Sequence, residues 1–156
     1  MAPVRLLFVC LGNICRSPAA EGVFAKKAKE AGLDVILDSA GTGAWHVGHA
    51  PDRRMQKAAQ GRGYDLSSLR ARQVDVGDFY VYDLILAMDE SNMADLKEIA
   101  PPDGTAKLAM VLSYGAGGEV PDPYYGSTDG FAHVLDLLEA ASDGLIASLV
   151  KGSWEG

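Results

Sequence analysis

The segment spanning residues 6–21 constrains the fold of this 156-residue chain more than any other part of the sequence. It begins with a short, continuous apolar run that ends at Cys10, and such a run predicts a buried central strand of a parallel sheet. A loop containing Gly12 and Asn13 follows. A helix then opens at Ser17 and Pro18, because a helix tolerates proline where its missing N–H is not needed. The sequence therefore predicts a strand, a tight loop and a helix in immediate succession.

The loop carries the residue types that bind and attack a phosphoryl group. Five residues separate a thiol, Cys10, from a guanidinium, Arg16, and the hydroxyl of Ser17 follows. Such a loop can curl around one phosphate, with backbone N–H groups and the helix N-terminus pointing inward. Arginine adds a planar, two-pronged donor, and the positive field favours the nucleophilic thiolate. We therefore expect Cys10 to be the nucleophile, Arg16 to bind phosphate, and the loop to comprise Leu11, Gly12, Asn13, Ile14, Cys15 and Ser17.

Two further groups complete the predicted chemistry. A carboxylic acid must protonate the leaving oxygen and then activate water, and Asp122 is the best candidate because a proline on each side restricts its backbone. A simple turn is the alternative interpretation of this Pro-Asp-Pro segment. The aromatic residues Trp45, Tyr124 and Tyr125 lie on loops rich in glycine or proline, and they predict the walls of a slot for a flat phenyl ring.

The rest of the chain alternates between strand-like and helix-like segments without a break in composition. Strands are predicted at 35–39, 82–87 and 107–112, and helices at 51–61, 89–100 and beyond residue 127. This alternation predicts one doubly wound α/β domain over residues 1–156. Ligands of such sheets bind beyond the carboxyl ends of the strands, which is where the Cys10 loop falls.

Charge and cysteine usage exclude several classes of partner. The net charge of −7 argues against binding to nucleic acid or to an anionic membrane, and no apolar run has the length of a membrane span. Any attraction for phosphate must therefore be local. Both cysteines lie in one loop, which argues against a disulfide framework. We expect a cytoplasmic protein.

Residues 10–18 (CLGNICRSP) and 122–126 (DPYYG) closely resemble the low-molecular-weight protein tyrosine phosphatases. The resemblance extends through residues 38–39, 45–48, 71–73 and 88–92. It implies a single three-layer domain in which helices flank a four-stranded parallel sheet, and hydrolysis of phosphotyrosine through a phosphocysteine intermediate. It implies neither a metal nor another cofactor. By this likeness Cys10 is the nucleophile, Arg16 binds phosphate, Asp122 is the general acid, and Asn13, Ser17 and Ser39 hold the loop in shape.

The resemblance also carries expectations about regulation and partners. Cys15 resembles the family's redox partner of the nucleophile, which predicts a reversible disulfide with Cys10. Tyrosine-phosphorylated proteins are the expected substrates, phosphate-like anions the expected inhibitors, and a tyrosine kinase acting on Tyr124 or Tyr125 a candidate partner. One position departs from the family pattern, because Leu69 stands where the family often carries a histidine. The resemblance therefore does not predict how rigid the loop is.

Three alternative functions are open to such a chain. An arsenate reductase on the same fold would need further cysteines for its disulfide relay, or external thiols. A non-catalytic phosphotyrosine-binding module would keep Arg16 but have no need of both Cys10 and Asp122. A zinc site could use both cysteines with His46 and His49, but their spacing is unlike that of structural zinc sites and Arg16 would repel the ion.

Overall fold

The computed structural model describes residues 3–124, 126 and 128–152. Within this part of the chain, strands and helices alternate as the sequence predicts. No helix among the described residues is both long enough and apolar enough to cross a membrane. The elements are β1 (Val4–Cys10), α1 (Arg16–Glu30), β2 (Val35–Gly41), α2 (Arg53–Gln60), α3 (Asp78–Val81), β3 (Leu84–Ala87), α4 (Glu90–Ile99), β4 (Lys107–Met110), a 3₁₀ turn (Val111–Tyr114) and α5 (Thr128–Lys151).

The four strands form one parallel sheet in the order β2-β1-β3-β4. This confirms the predicted α/β fold with a four-stranded parallel sheet. Cys10 at the end of β1 is in register with Gly41 at the end of β2, and Val9 is in register with Ala87 at the end of β3. The carboxyl ends of the three strands therefore meet at one edge, where the loop after Cys10 begins.

Helices cover both faces of the sheet because side chains of a strand point alternately to opposite sides. Leu6 and Phe8 of β1 belong to a core cluster that includes residues of α1, α2 and α5. Leu7 and Val9 belong to a second cluster that includes Phe79 of α3 and residues of α4. The central strand is consequently buried on both faces, which explains its unbroken apolar sequence.

The element boundaries differ from prediction by one to a few residues. The helix after the loop begins at Arg16, so Pro18 lies in its first turn instead of at its first position, still where no N–H is required. The third strand begins at Leu84, because the preceding residues form the short helix α3. The fourth strand ends at Met110, because the 3₁₀ turn follows it.

Candidate active site

The loop after β1 surrounds the thiol of Cys10 with donors. The Cys10 side chain is buried, and its Sγ lies 3.0 Å from the Ser17 Oγ in a hydrogen bond. The backbone N–H of Asn13 donates to the same sulfur at 3.3 Å. The loop thus places two polar partners on the predicted nucleophile.

Asn13 joins the loop to two other segments of the chain. Its backbone adopts a left-handed conformation (φ 56°), as the sequence predicts for this turn. Its side-chain Nδ2 donates to Ser17 Oγ at 2.7 Å and to Ser39 Oγ at 3.0 Å. Its Oδ1 accepts from the backbone N–H of Arg72 at 3.0 Å. Asn13, Ser17 and Ser39 therefore lie together behind the loop.

The loop leads directly into the N-terminus of α1, whose amides are open to an anion. Cys15 precedes this helix and makes no capping hydrogen bond with its side chain. Within the described residues, the backbone N–H groups of Gly12, Ile14, Cys15 and Arg16 have no acceptor. Unpaired amides at a helix N-terminus bind phosphate well, because the helix dipole adds to their partial charges.

Arg16 is buried beneath the loop and is held on one side. Its side chain is 3 % exposed, and Nη1 donates to Asp89 Oδ2 at 2.7 Å and to the Val120 carbonyl at 3.0 Å. Its Nη2 lies 3.6 Å from Asp122 Oδ2. Because these anchors fix the plane of the guanidinium, the arginine can present its other donors without losing much rotamer freedom.

Asp122 lies on the loop that faces Arg16. Its side chain is 41 % exposed, and its Oδ1 accepts the backbone N–H of Tyr124 at 3.1 Å. Pro121 is exposed, whereas Pro123 is buried and anchors the segment. The carboxylate is thus oriented by its own turn while remaining accessible to solvent, so it can exchange a proton.

A single cleft of about 430 Å³ brings the predicted residues together. The catalytic candidates Cys10, Arg16 and Asp122 all line it, and so do the aromatic residues Trp45 and Tyr124. The loop contributes Leu11, Gly12, Ile14 and Cys15 to the same lining. Tyr125, the third aromatic residue predicted for the slot, lies outside the described residues.

His46 forms a further part of the cleft wall, in keeping with its predicted position on a loop at the rim of the slot. Its ring centroid lies 6.3 Å from that of Tyr124. A Cβ added to Gly12 would lie 3.0 Å from His46 Cδ2, so the imidazole packs directly on the loop backbone. Glycine at position 12 is what allows this close approach.

The second cysteine, Cys15, is a free thiol, buried like Cys10. Burial raises the pKa of the Cys15 thiol far above its ordinary value, and the negative charge of Asp52 raises it further. Arg54 opposes this rise. Cys15 is therefore held as a neutral thiol beside the loop that it helps to form.

Asp52 and Arg54 connect the loop after β1 to the loop of Asp122. The backbone N–H of Asp52 donates to the Ile14 carbonyl at 2.7 Å, and its carboxylate caps α2. Arg54 donates to both carboxylate oxygens of Asp52, at 3.1 and 2.9 Å. Arg54 Nη2 also donates to the Tyr124 carbonyl at 2.9 Å. A continuous set of polar contacts thus runs from Ile14 to Tyr124, whose backbone N–H donates to Asp122.

Sequence reasoning missed several residues that build this site. Asp89, which holds Arg16, follows the end of β3 at the loop's edge of the sheet, so topology could have indicated it. Arg72 binds the carboxylates of Asp38 and Asp78 as well as Asn13 through its backbone, but nothing local marks that role. Val120 contributes its backbone carbonyl, which every residue has, so no sequence signal indicates this role.

Leu69 borders a surface cleft that Glu21 also lines. Its apolar side chain can give that carboxylate no hydrogen bond, and Glu21 Oε1 is buried without a partner among the described residues. Burial raises the pKa of Glu21; Ser39 and Arg72 oppose the rise, whereas Asp38 adds to it. Leu69, which departs from the family pattern, therefore lines the same surface cleft as a carboxylate with one buried oxygen that accepts no hydrogen bond from the described residues.

The described residues contain no group of three or more histidine, cysteine, aspartate or glutamate side chains that could hold a metal ion. His46 and His49 lie near each other, with ring centroids 5.9 Å apart. His46 faces the cleft together with Cys10 and Cys15. Of the four residues considered for a zinc site, Cys10, Cys15 and His46 line the cleft and His49 does not, and among the described residues they form no ligand cluster.

A loop between a parallel strand and a helix, with a cysteine, a buried arginine and unpaired amides, is the arrangement expected of a cysteine-dependent phosphatase. Residues 5–153 match the family model of the low molecular weight phosphotyrosine protein phosphatases. The chain belongs to this family, which is a family of hydrolases. The family that the sequence motifs indicated is therefore confirmed.

Individual relatives agree with this assignment over almost the whole chain. A Synechocystis protein that carries the family's name is 48% identical over 154 residues, covering 95% of this chain and 98% of that protein. The low molecular weight protein-tyrosine-phosphatase of Streptomyces coelicolor is 44% identical, with 93% of each chain covered. The crystal structure of an Entamoeba histolytica protein tyrosine phosphatase, with Hepes in its active site, superimposes with a TM-score of 0.91 at 44% identity, covering 96% of this chain and 98% of that one.

Proposed function

We propose that this protein hydrolyses phosphotyrosine in proteins through a phosphocysteine intermediate. One observation carries the proposal: Cys10, Arg16 and Asp122 line a single cleft whose wall also contains Trp45 and Tyr124. A phosphate in the loop would lie beside the thiol and the guanidinium, while a phenyl ring would lie between the aromatic side chains. The phosphatase relatives support the same reaction class.

In the first step, the Cys10 thiolate attacks phosphorus. An S–P bond forms while the bond from phosphorus to the phenolic oxygen breaks, and Asp122 gives its proton to that oxygen. Charge on the equatorial oxygens is stabilised by Arg16 and by the unpaired loop amides. The hydroxyl of Ser17, 3.0 Å from the sulfur, stabilises the thiolate before attack and as it leaves again.

In the second step, the Asp122 carboxylate takes a proton from water, and the resulting oxygen nucleophile attacks phosphorus. The S–P bond breaks, inorganic phosphate forms and Cys10 returns as thiolate. Neither step calls for a metal or another cofactor. Phosphate-like anions should inhibit by occupying the loop, and the Hepes in the Entamoeba active site shows that this relative accepts a buffer molecule there.

We further propose that Cys15 protects the nucleophile. A peroxide would transfer one oxygen to the Cys10 thiolate, which gives a sulfenic acid, and the other oxygen would leave as hydroxide or water. The Cys15 thiol would then attack that sulfur, forming the disulfide and releasing water. The two thiols support this pairing because both are buried, free and part of one cleft lining.

We assign the described elements to one phosphatase domain within residues 1–156 and a cytoplasmic location, where both thiols stay reduced. Tyrosine-phosphorylated proteins are the proposed partners. A tyrosine kinase that modifies Tyr124 or Tyr125 would be a further partner, and a phosphotyrosine at either position after kinase treatment would be found by mass spectrometry.

Hydrolysis of p-nitrophenyl phosphate in the presence of a chelator tests the mechanism. Wild type should be active when reduced, Cys10→Ser should be inactive because a hydroxyl is a far poorer nucleophile, and Cys15→Ser should retain activity. After peroxide treatment, wild type should recover with a reductant, whereas Cys15→Ser should not. If folded and reduced wild type did not hydrolyse p-nitrophenyl phosphate, the proposed enzyme activity would be refuted. If wild type and Cys15→Ser recovered equally after peroxide treatment, only the proposed disulfide would be refuted.

A further inference from the structure

A second groove of about 520 Å³ lies beside the active-site cleft. Leu11 and Trp45 line both, so the two form one continuous surface that begins at the phosphate-binding loop. The far side of the second groove is formed by the loop before α3 and by α4. We call it the flanking groove, because a chain whose side chain entered the cleft would continue along it.

The flanking groove exposes an unusual amount of apolar surface. The exposed fractions of its large apolar side chains are 71% for Trp45, 50% for Val76, 41% for Leu11 and 40% for Ile99. The Trp45 ring rests on Gly43, where any Cβ would collide with it. Contiguous exposed apolar surface next to a polar rim is typical of a binding surface.

Three carboxylates lie along one side of this groove. Asp95 and Glu98 are three residues apart on α4, so they share a face of that helix with Ile99. Asp75 lines the groove from the loop before α3. All three residues are exposed, and among the described residues none of their side chains has an ion pair or hydrogen bond. Their charges are therefore available to a partner.

We propose that the flanking groove binds the segment of the substrate polypeptide next to the phosphotyrosine, and that it selects a lysine or arginine beside an apolar residue. This inference rests on the proposed function. The apolar floor would cover an aliphatic or aromatic neighbour, and Asp75, Asp95 and Glu98 would attract a cation. An acidic segment would be repelled by the same carboxylates. Continuity with the cleft identifies the occupant, since Leu11 and Trp45 line both and a peptide held by its phosphotyrosine can pass from the cleft into the groove.

The test compares phosphotyrosine peptides that carry lysine, alanine or glutamate in turn at each flanking position. The expected order of kcat/KM at the responsive position is lysine, alanine, glutamate, and the preference should weaken at high ionic strength. In the variant Asp95→Lys with Glu98→Lys the order should reverse, by roughly three- to tenfold for each peptide, as expected for exposed ion pairs. Turnover of p-nitrophenyl phosphate, which has no flanking residues, should stay unchanged.

A matched control separates the groove from the overall charge. Glu30 at the end of α1 and Asp34 before β2 lie at the opposite edge of the sheet. The variant Glu30→Lys with Asp34→Lys changes the net charge equally, and its peptide preference should remain that of wild type. The neutral variant Asp95→Asn with Glu98→Gln should weaken the preference without reversing it, because Asp75 remains, and it places no new charge on α4.

Three outcomes would overturn the inference while leaving the phosphatase intact. These are equal kcat/KM for lysine and glutamate peptides at every position, a preference for glutamate, or the same reversal in the control variant. Absence of p-nitrophenyl phosphate turnover in folded wild type would overturn the proposed function itself. The two failures are therefore distinguished by a single substrate.

Discussion

At the scale of single residues, Asn13 determines the shape of the phosphate-binding loop. The sequence predicted its left-handed turn, because asparagine tolerates positive φ. It did not predict the contact with Arg72, since the two residues are 59 positions apart and no local pattern links them. Local conformation could thus be derived from residue type, whereas the hydrogen-bond partners required the tertiary structure.

Replacing Asn13 with alanine should weaken both the loop and the fold. The variant loses the bonds to Ser17, Ser39 and Arg72 while keeping a backbone conformation that alanine disfavours. We expect unfolding free energy to fall by about 1–3 kcal/mol, measured by urea denaturation, and turnover of p-nitrophenyl phosphate to fall with it. Asn13→Gly loses the same side-chain hydrogen bonds, but glycine adopts the positive φ without strain. Full recovery of activity in the glycine variant would show that the side-chain bonds are dispensable.

Asp122→Ala should reveal the general acid through its dependence on the leaving group. Turnover of phenyl phosphate, whose leaving oxygen is basic, should fall by roughly 10²- to 10⁴-fold. Turnover of p-nitrophenyl phosphate should fall less, because its phenolate leaves without full protonation. Equal losses on both substrates would contradict the assignment.

At the scale of elements, the strand, loop and helix at residues 4–30 were the best predicted part of the chain. Their apolar run, glycine, asparagine and proline signals are all local. The loop that carries Asp122 was predicted to supply the general acid, but how the loop is held was not predicted, because its position depends on contacts from α2. Asp52 caps this helix and Arg54 donates to the Tyr124 carbonyl, so the start of α2 links the loop of Cys10 to the loop of Asp122.

Arg54→Ala should reduce activity without a large loss of stability. Arg54 is partly exposed and holds the residue whose N–H orients Asp122. We expect kcat on phenyl phosphate to fall by about tenfold, as for a catalytic group moved slightly from its place, with a smaller effect on p-nitrophenyl phosphate. Arg53→Ala, which changes the neighbouring exposed arginine, is the control. Similar losses in both variants, or identical losses on both substrates, would contradict a positioning role.

At the scale of the whole molecule, the sheet topology could be predicted from the sequence, whereas most contacts of the charged side chains could not. Alternating elements dictate a parallel sheet, and a parallel sheet dictates a site at its carboxyl edge. Topology places Asp89 at the same edge of the sheet as Arg16, but the contact of Arg16 with the Val120 carbonyl depends on how the later loop lies against β1 and β3. The acidic rim of the flanking groove likewise comes from two separated segments and was not foreseen.

The stability of the molecule should depend on pH through Glu21. Burial raises its pKa in the folded state, so protonated Glu21 stabilises the fold at low pH, and that contribution is lost as pH rises through the folded-state pKa. Glu21→Gln should therefore raise the Tm by a few degrees above that pKa, and the difference should vanish on acidification. Glu30→Gln on the exposed side of α1 is the control. A lower Tm for Glu21→Gln at neutral pH would contradict this account.

The anchoring of Arg16 also has a consequence for protein synthesis. Arg16 and Val120 are 104 positions apart, so at ordinary translation rates about 5–20 s separate their appearance. Throughout that interval the nascent chain carries its thiol without the residues that hold the guanidinium in place. A ribosome-bound fragment that already contains Cys10 and Arg16 therefore lacks, until Val120 has been added, part of the geometry on which the proposed catalysis depends.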